Sequence, residues 1–195
     1  MMKKILFPLF AFFLLVQAQT VVAQTEFDVD GVIVPRTIDF QSKKLDLNGF
    51  GTRSKMFVEV YVQALYLSKL SQDPTEIIES DTEMGIRIQI TSSMVSSGKL
   101  TKNLYKGLER STGGDLEKFQ SQIEILKTLL SDKIVEKDVF NLIYNPIDTS
   151  IWLYKNNELK GKIPGFDFKK AFFGIWLSNN PVDEDLKNEL LGITK

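Results

Sequence analysis

The chain has 195 residues and a formal net charge of −1. It contains neither His nor Cys, which excludes Ser–His and Cys–His nucleophilic sites, disulfides, and the commonest metal and haem ligand. Its balanced charge offers no basic field for nucleic acid. Lys3 and Lys4 precede an apolar run, Ile5 to Val16, too short to span a bilayer core of about 30 Å. Ala18 and Ala23 follow, each two places after a valine, as at a signal-peptidase site. This predicts a cleavable leader over residues 1–23, cut after Ala23 or, as second choice, after Ala18. The product is expected in the periplasm or outside the cell, with no transmembrane segment remaining. Removing 23 of the 195 residues leaves one domain of 172, residues 24–195. The leader carries two Lys and no acid, so the net charge of the remainder is −3.

Phe27 to Val34 and Thr37 to Leu45 are β-rich, with Pro35 between them as a break. Asn48-Gly49-Phe50-Gly51 reads as a turn or glycine-rich bend. Met56 to Leu67 then alternates as one long strand. Met56, Val58, Val60, Val62, Ala64 and Tyr66 fall on an apolar face; Phe57, Glu59, Tyr61, Gln63, Leu65 and Leu67 fall on a mixed one. A short helix is expected after Asp73-Pro74, and a half-buried strand over Gly85–Thr91. Lys99 to Arg110 forms a helix with Leu100, Leu104 and Leu108 on one stripe. Its cations, Lys99, Lys102, Lys106 and Arg110, read either as a solvated face or as a surface that attracts acidic ligands or an anionic membrane.

Gly113-Gly114 breaks the chain. Asp115 is placed to cap a helix carrying Leu116, Phe119, Ile123, Leu126 and Leu130. Val139–Tyr144, Ser150–Tyr154 and Leu159–Ile163 are strands, joined at Asn145-Pro146 and Asn156-Asn157. Phe166 to Leu177 is a helix whose Phe168, Phe172, Phe173 and Trp176 read as core. A last helix, with Asn180 as cap and Pro181 first, carries Val182, Leu186 and Leu190 and stops at Gly192. Asp183, Glu184 and Asp185 in its first turn are explained by the helix dipole. Strands, helices, strands, helices imply an α+β domain with helices on an antiparallel sheet.

Three stretches stand out in order: Gly49-Phe50-Gly51-Thr52-Arg53 followed by Phe57 to Leu67; Ile163-Pro164-Gly165-Phe166 leading into Ala171 to Leu177; and Pro181 to Leu186 ending at Leu191-Gly192. Together they resemble the chalcone-isomerase-like family, in particular its bacterial exported branch, from about Gly31 to Gly192. The resemblance implies an open-faced β-sandwich, its antiparallel sheet covered on one side by helices, with a ligand cleft between them. Plant members close a chalcone to a flavanone there. Related plant members hold a fatty acid, and some fungal mitochondrial relatives bind haem.

The resemblance points Arg53 into the cleft, where its planar fork matches a carboxylate. If the chain is extended between positions 53 and 61, Tyr61 shares that face. In the catalytic members a threonine occupies the place of Tyr61; in the fatty-acid binders a tyrosine joins the arginine on the carboxylate. The shorter spacing from Arg53 to the strand also differs from the plant enzymes. Their tyrosine and asparagine fall here near Thr101 and Leu108, with Asn103 and Tyr105 out of register. A further polar position falls at Lys169 or Lys170.

The expected function is therefore non-catalytic binding of a small amphipathic acid, such as a fatty acid, by Arg53 and Tyr61, without a cofactor or metal. The alternatives are an intramolecular lyase of the chalcone isomerase type, with Arg53 and Tyr61 stabilising a developing phenolate or enolate, and a structural module with an occluded cleft.

Overall fold

Seven runs of alternating or apolar residues become seven strands of one antiparallel sheet. A computed structural model describes residues 25–55 and 57–193; the leader expected over 1–23 lies outside them. The sheet comprises β3 (Thr37–Phe40), β4 (Lys43–Lys55), β5 (Val58–Leu67), β6 (Met84–Ile90), β7 (Val139–Asn145), β8 (Ser150–Lys155) and β9 (Glu158–Pro164), neighbours in chain order throughout. Before it, β1 (Glu26–Val29) and β2 (Val32–Pro35) form a separate hairpin. The expected single strand over Phe27–Val34 is thus two, because Asp30 and Gly31 both take positive φ and close a tight turn. Likewise Gln41, at φ 55°, turns the chain between β3 and β4.

One face of the sheet carries the helices: α1 (Pro74–Glu79), α2 (Ser97–Ser111), α3 (Gln120–Leu129), α4 (Phe166–Leu177) and α5 (Glu184–Leu190). The α2 leucines, Leu100, Leu104 and Leu108, and the α4 aromatics, Phe168, Phe172, Phe173 and Trp176, are buried there as their spacing requires. The first hairpin covers part of the other face, where Val32 and Val34 pack with Phe40, Leu45, Val62, Ala64 and Tyr66. Asp115 caps no helix; a 3₁₀ turn over Glu117–Phe119 leads directly into α3. No helix among the described residues is long and apolar enough to cross a membrane.

Two bulges decide which side chains meet the helices. The glycine-rich segment at Asn48 is not a turn but the middle of β4. Leu47 pairs with Tyr66 and Gly49 with Leu65, which leaves Asn48 unpaired. One extra residue reverses the alternation. Leu45 and Leu47 therefore face the hairpin side, whereas Gly49, Gly51 and Arg53 face α5. A Cβ on Gly49 would lie 2.2 Å from the Glu189 carbonyl oxygen, so the missing side chain is what seats α5 on the strand. The bulged Asn48 fastens the same helix: its amide donates to the Leu190 carbonyl, 3.0 Å away.

The position expected to be polar at the start of α4 has a structural task. Lys169 is fully buried, and its ammonium donates to the carbonyls of Ile77, Ile78 and Ser80 at 3.2, 2.8 and 2.6 Å. It closes the C-terminus of α1 beneath the rings of Tyr144 and Phe166. Lys169→Met strands the carbonyls of Ile78 and Ser80 and leaves that of Ile77 with only the Ser80 hydroxyl, and we expect it to cost about 3 kcal/mol at neutral pH. Burial also pushes the Lys169 amine down to about 8 from 10.5. Between those pH values the unfolded chain holds a proton that the folded chain has released, so this group makes stability rise with pH. Thermal melts of the two proteins should therefore diverge further at pH 9 than at pH 7. Parallel curves would show that Lys169 keeps an ordinary affinity for its proton.

Candidate functional site

Arg53, near the end of β4, and Tyr61, in β5, are direct cross-strand partners. They share a face because the strands are paired, not because the chain is extended from one to the other; the connection at Phe57 lies between them. The second bulge acts here. Arg53 pairs with Tyr61 but Ser54 pairs with Glu59, so Val60 is the extra residue. As a result Val58, Val60 and Tyr61 all line the helix side of the sheet, and the regular alternation expected from residue 56 onward breaks at Val60.

Each group of the pair is oriented by a neighbour. The Trp176 indole N–H donates to the Tyr61 phenol oxygen at 3.4 Å. Burial pushes the Tyr61 phenol above its ordinary pKa, with Trp176 and Arg53 opposing. It is therefore a neutral O–H at physiological pH, occupied as an acceptor and able to donate. Arg53 donates to an Asp183 carboxylate oxygen at 2.5 Å and to the Ser54 carbonyl at 2.8 Å. Asp183 is the N-cap of α5; its other carboxylate oxygen accepts from the backbone N–H of Asp185 and Leu186. The expected cap at Asn180 is thus displaced by three residues, and an acid read only as a partner of the helix dipole is also the internal counter-ion of Arg53.

The pair opens onto a cleft between β5 and α2. An inner chamber of about 310 Å³ is lined by Arg53, Tyr61, Ile88, Leu104, Ile175 and Trp176 among others. An outer chamber of about 400 Å³ continues past Val58, Met94 and Val95. The two share Val60, Tyr61, Leu100 and Asn103 as well as Lys55 and Lys106. Lys99, Lys102 and Arg110 complete the rim, and among the described residues neither lining contains an acid. The basic stripe of α2 is therefore the border of the cleft. On the same face as Tyr61, Gln63 is fully buried with neither amide atom paired, so polar capacity extends beneath the phenol into the core.

Of the positions that the resemblance brought forward on α2, Leu108 is buried core and Thr101 lies outside the cleft with Tyr105, whereas Asn103 lines both chambers. Lys169 holds α1, and Lys170 pairs with Glu79 and Asp167. A further concavity, about 760 Å³, lies elsewhere, between the first hairpin, β4 and α5. Its charged lining is Arg36 with Asp46, Asp185 and Glu189, and it gathers no donor pair comparable to Arg53 and Tyr61.

A chalcone isomerase-like family model matches residues 26–192. A solved structure similar to this chain is that of a fatty-acid binding protein of Arabidopsis thaliana. The two share 16% identity, with a TM-score of 0.64, over 83% of this chain and 92% of the plant protein. That likeness is one of fold. No curated protein sequence matches the chain.

Proposed function

The chain belongs to the chalcone isomerase-like family, and from that premise we propose that it is a binding protein for an amphipathic acid, such as a fatty acid. The observation that carries the reading is the donor pair: a guanidinium and a neutral phenol, opposed across two strands at the end of an apolar cleft. A carboxylate between them receives two hydrogen bonds from the Arg53 fork and one from Tyr61. The tail lies along Val60, Leu100 and Leu104, and each buried CH₂ contributes about 0.8 kcal/mol. An unpartnered head group would cancel several of those units, so the donor pair is what makes the apolar cleft usable by an acid. The cleft is also within the size range of small-ligand sites, about 300–1,000 Å³. The relative from Arabidopsis thaliana, titled a fatty-acid binding protein, supports the same class of ligand.

Export belongs to this proposal, with the leader over residues 1–23 removed. The protein would then meet its ligand outside the cytoplasm, and sequencing of the mature N-terminus should begin at Gln24. The ligand reading is tested by extracting small molecules from protein purified without detergent and identifying them by mass spectrometry. Long-chain carboxylic acids in near-stoichiometric amount are expected. An empty extract, together with no saturable binding of added palmitate, would end the reading. A chalcone incubated with the protein and followed by absorbance should close no faster than in buffer.

A further inference from the structure

The mouth of the cleft presents two kinds of side chain that a stable water-facing surface does not need. The first is apolar. Phe57 lies outside the lining itself, in the connection between β4 and β5 flanked by the lining residues Lys55 and Val58; it is fully exposed and takes φ 64°, a conformation unfavourable for a bulky residue. Beside it Val58 is 39% exposed, and Met94, across the outer chamber, is 57% exposed. The second kind is cationic. Lys55, Lys99, Lys102 and Lys106 surround the same chamber. Among the described residues none of them is paired with an acid, and the Lys99 ammonium donates only to the Met94 carbonyl. Beyond the leader the chain carries a net negative charge, so this rim is a local inversion of its field.

We propose that the rim docks on an anionic lipid bilayer, with Phe57 and Met94 entering the interfacial region and the four lysines resting on the headgroups. The lysines supply long-range attraction and alignment. The apolar tips supply the short-range term, since a phenyl ring is favourably placed at the headgroup boundary. The arrangement favours a bilayer over a soluble acidic protein because a charged partner alone leaves the Phe57 ring unaccounted for. Docking turns the outer chamber toward the membrane, so an amphiphile can pass between bilayer and cleft without crossing bulk water. This step rests on the ligand reading above; the docking itself does not.

The test is co-sedimentation with phosphatidylcholine vesicles, with and without phosphatidylglycerol, using the chain as it accumulates in cells, its N-terminus established by mass spectrometry. Wild type should sediment with the anionic vesicles and stay in solution with the neutral ones, and raised salt should release it. Lys102→Gln with Lys106→Gln should weaken partitioning about fivefold per lysine removed. Phe57→Asn suits the left-handed backbone, so it should leave the melting temperature and the binding of palmitate in vesicle-free buffer unchanged, yet reduce sedimentation several-fold. Equal sedimentation of Phe57→Asn and wild type, or partitioning indifferent to phosphatidylglycerol, overturns the docking. Palmitate binding without sedimentation overturns the docking and leaves the ligand reading intact. Sedimentation without palmitate binding does the reverse.

Discussion

Arg53→Ala is expected to weaken palmitate binding about ten- to a hundredfold, the equivalent of about 1.5–3 kcal/mol for a charge-assisted hydrogen-bonded contact. Binding of the matching alcohol, hexadecanol, should change little. The comparison isolates the head group, because both ligands bury the same tail. The melting temperature should scarcely move: among the described residues the Arg53 guanidinium is bonded only to Asp183, Val182 and Ser54, and Asp183 keeps its two backbone donors in α5. The partner variant has the opposite sign. In the free protein Asp183 is the carboxylate that satisfies Arg53, so an incoming acid competes with it. Asp183→Asn still caps α5 but removes the competing charge, and palmitate should bind more tightly. Isothermal titration of the three proteins with the two ligands measures both effects. An acid-to-alcohol preference that survives in Arg53→Ala would sink the assignment of the donor pair.

Gly49→Ala is expected to be the most damaging single substitution in the sheet. The new methyl group would stand 2.2 Å from the Glu189 carbonyl oxygen, 2.5 Å from that of Leu190 and 2.7 Å from the Leu190 carbonyl carbon. These are backbone atoms, so no rotamer change relieves the contact, and α5 has to lift from β4. Leu186 and Leu190, both buried, are carried with it. A loss of about 3–5 kcal/mol is the scale for such disruption, or a fall in melting temperature of about 10 °C for a domain of this size. Gly51→Ala is the control. Its methyl group meets the Glu189 side chain: the carboxylate end can swing aside, and the fixed Cβ, 2.9 Å away, is a milder contact than the backbone atoms at 2.2–2.7 Å that Gly49→Ala meets, so its penalty should be smaller. Because α5 also carries Asp183, Gly49→Ala should disturb palmitate binding as a secondary effect, whereas Arg53→Ala disturbs binding alone. Differential scanning calorimetry orders the variants. A Gly49→Ala protein that melts with wild type would mean that α5 does not sit where the strand bulge places it.

Much of the architecture was legible along the chain because its signals are local. The helix over Phe166–Leu177 coincides with α4, and the strands expected near Val139, Ser150 and Leu159 agree with β7, β8 and β9 to within one residue. Local signals also misled where a turn and a strand use the same residues. Gly49-Phe50-Gly51 carries the composition of a bend, yet the glycines are there for the close approach of a helix from some 140 positions further along. The chain break really present, Asp30-Gly31, was carried in a recognisable dipeptide but lay inside a run of β-formers. Trp176 is core, as its helical spacing predicts, and only its contact with Tyr61 shows that the same ring also orients the site.

The sequence by itself determined the class of fold, the family and the two residues, Arg53 and Tyr61, on which binding is proposed to turn. The class of fold follows from periods of two and 3.6, which each segment carries within itself; the family, and with it Arg53 and Tyr61, comes from the resemblance carried by three ordered stretches. Only the tertiary structure decided what surrounds them: Asp183 as counter-ion, Trp176 as donor, and the exposed lysines of α2 as the border of the cleft. The reason is that each of those relations crosses between elements. An unpaired Asn48 or Val60 reverses every side chain that follows it, and which residue is left unpaired is set by the partner strand, not by the strand that bulges.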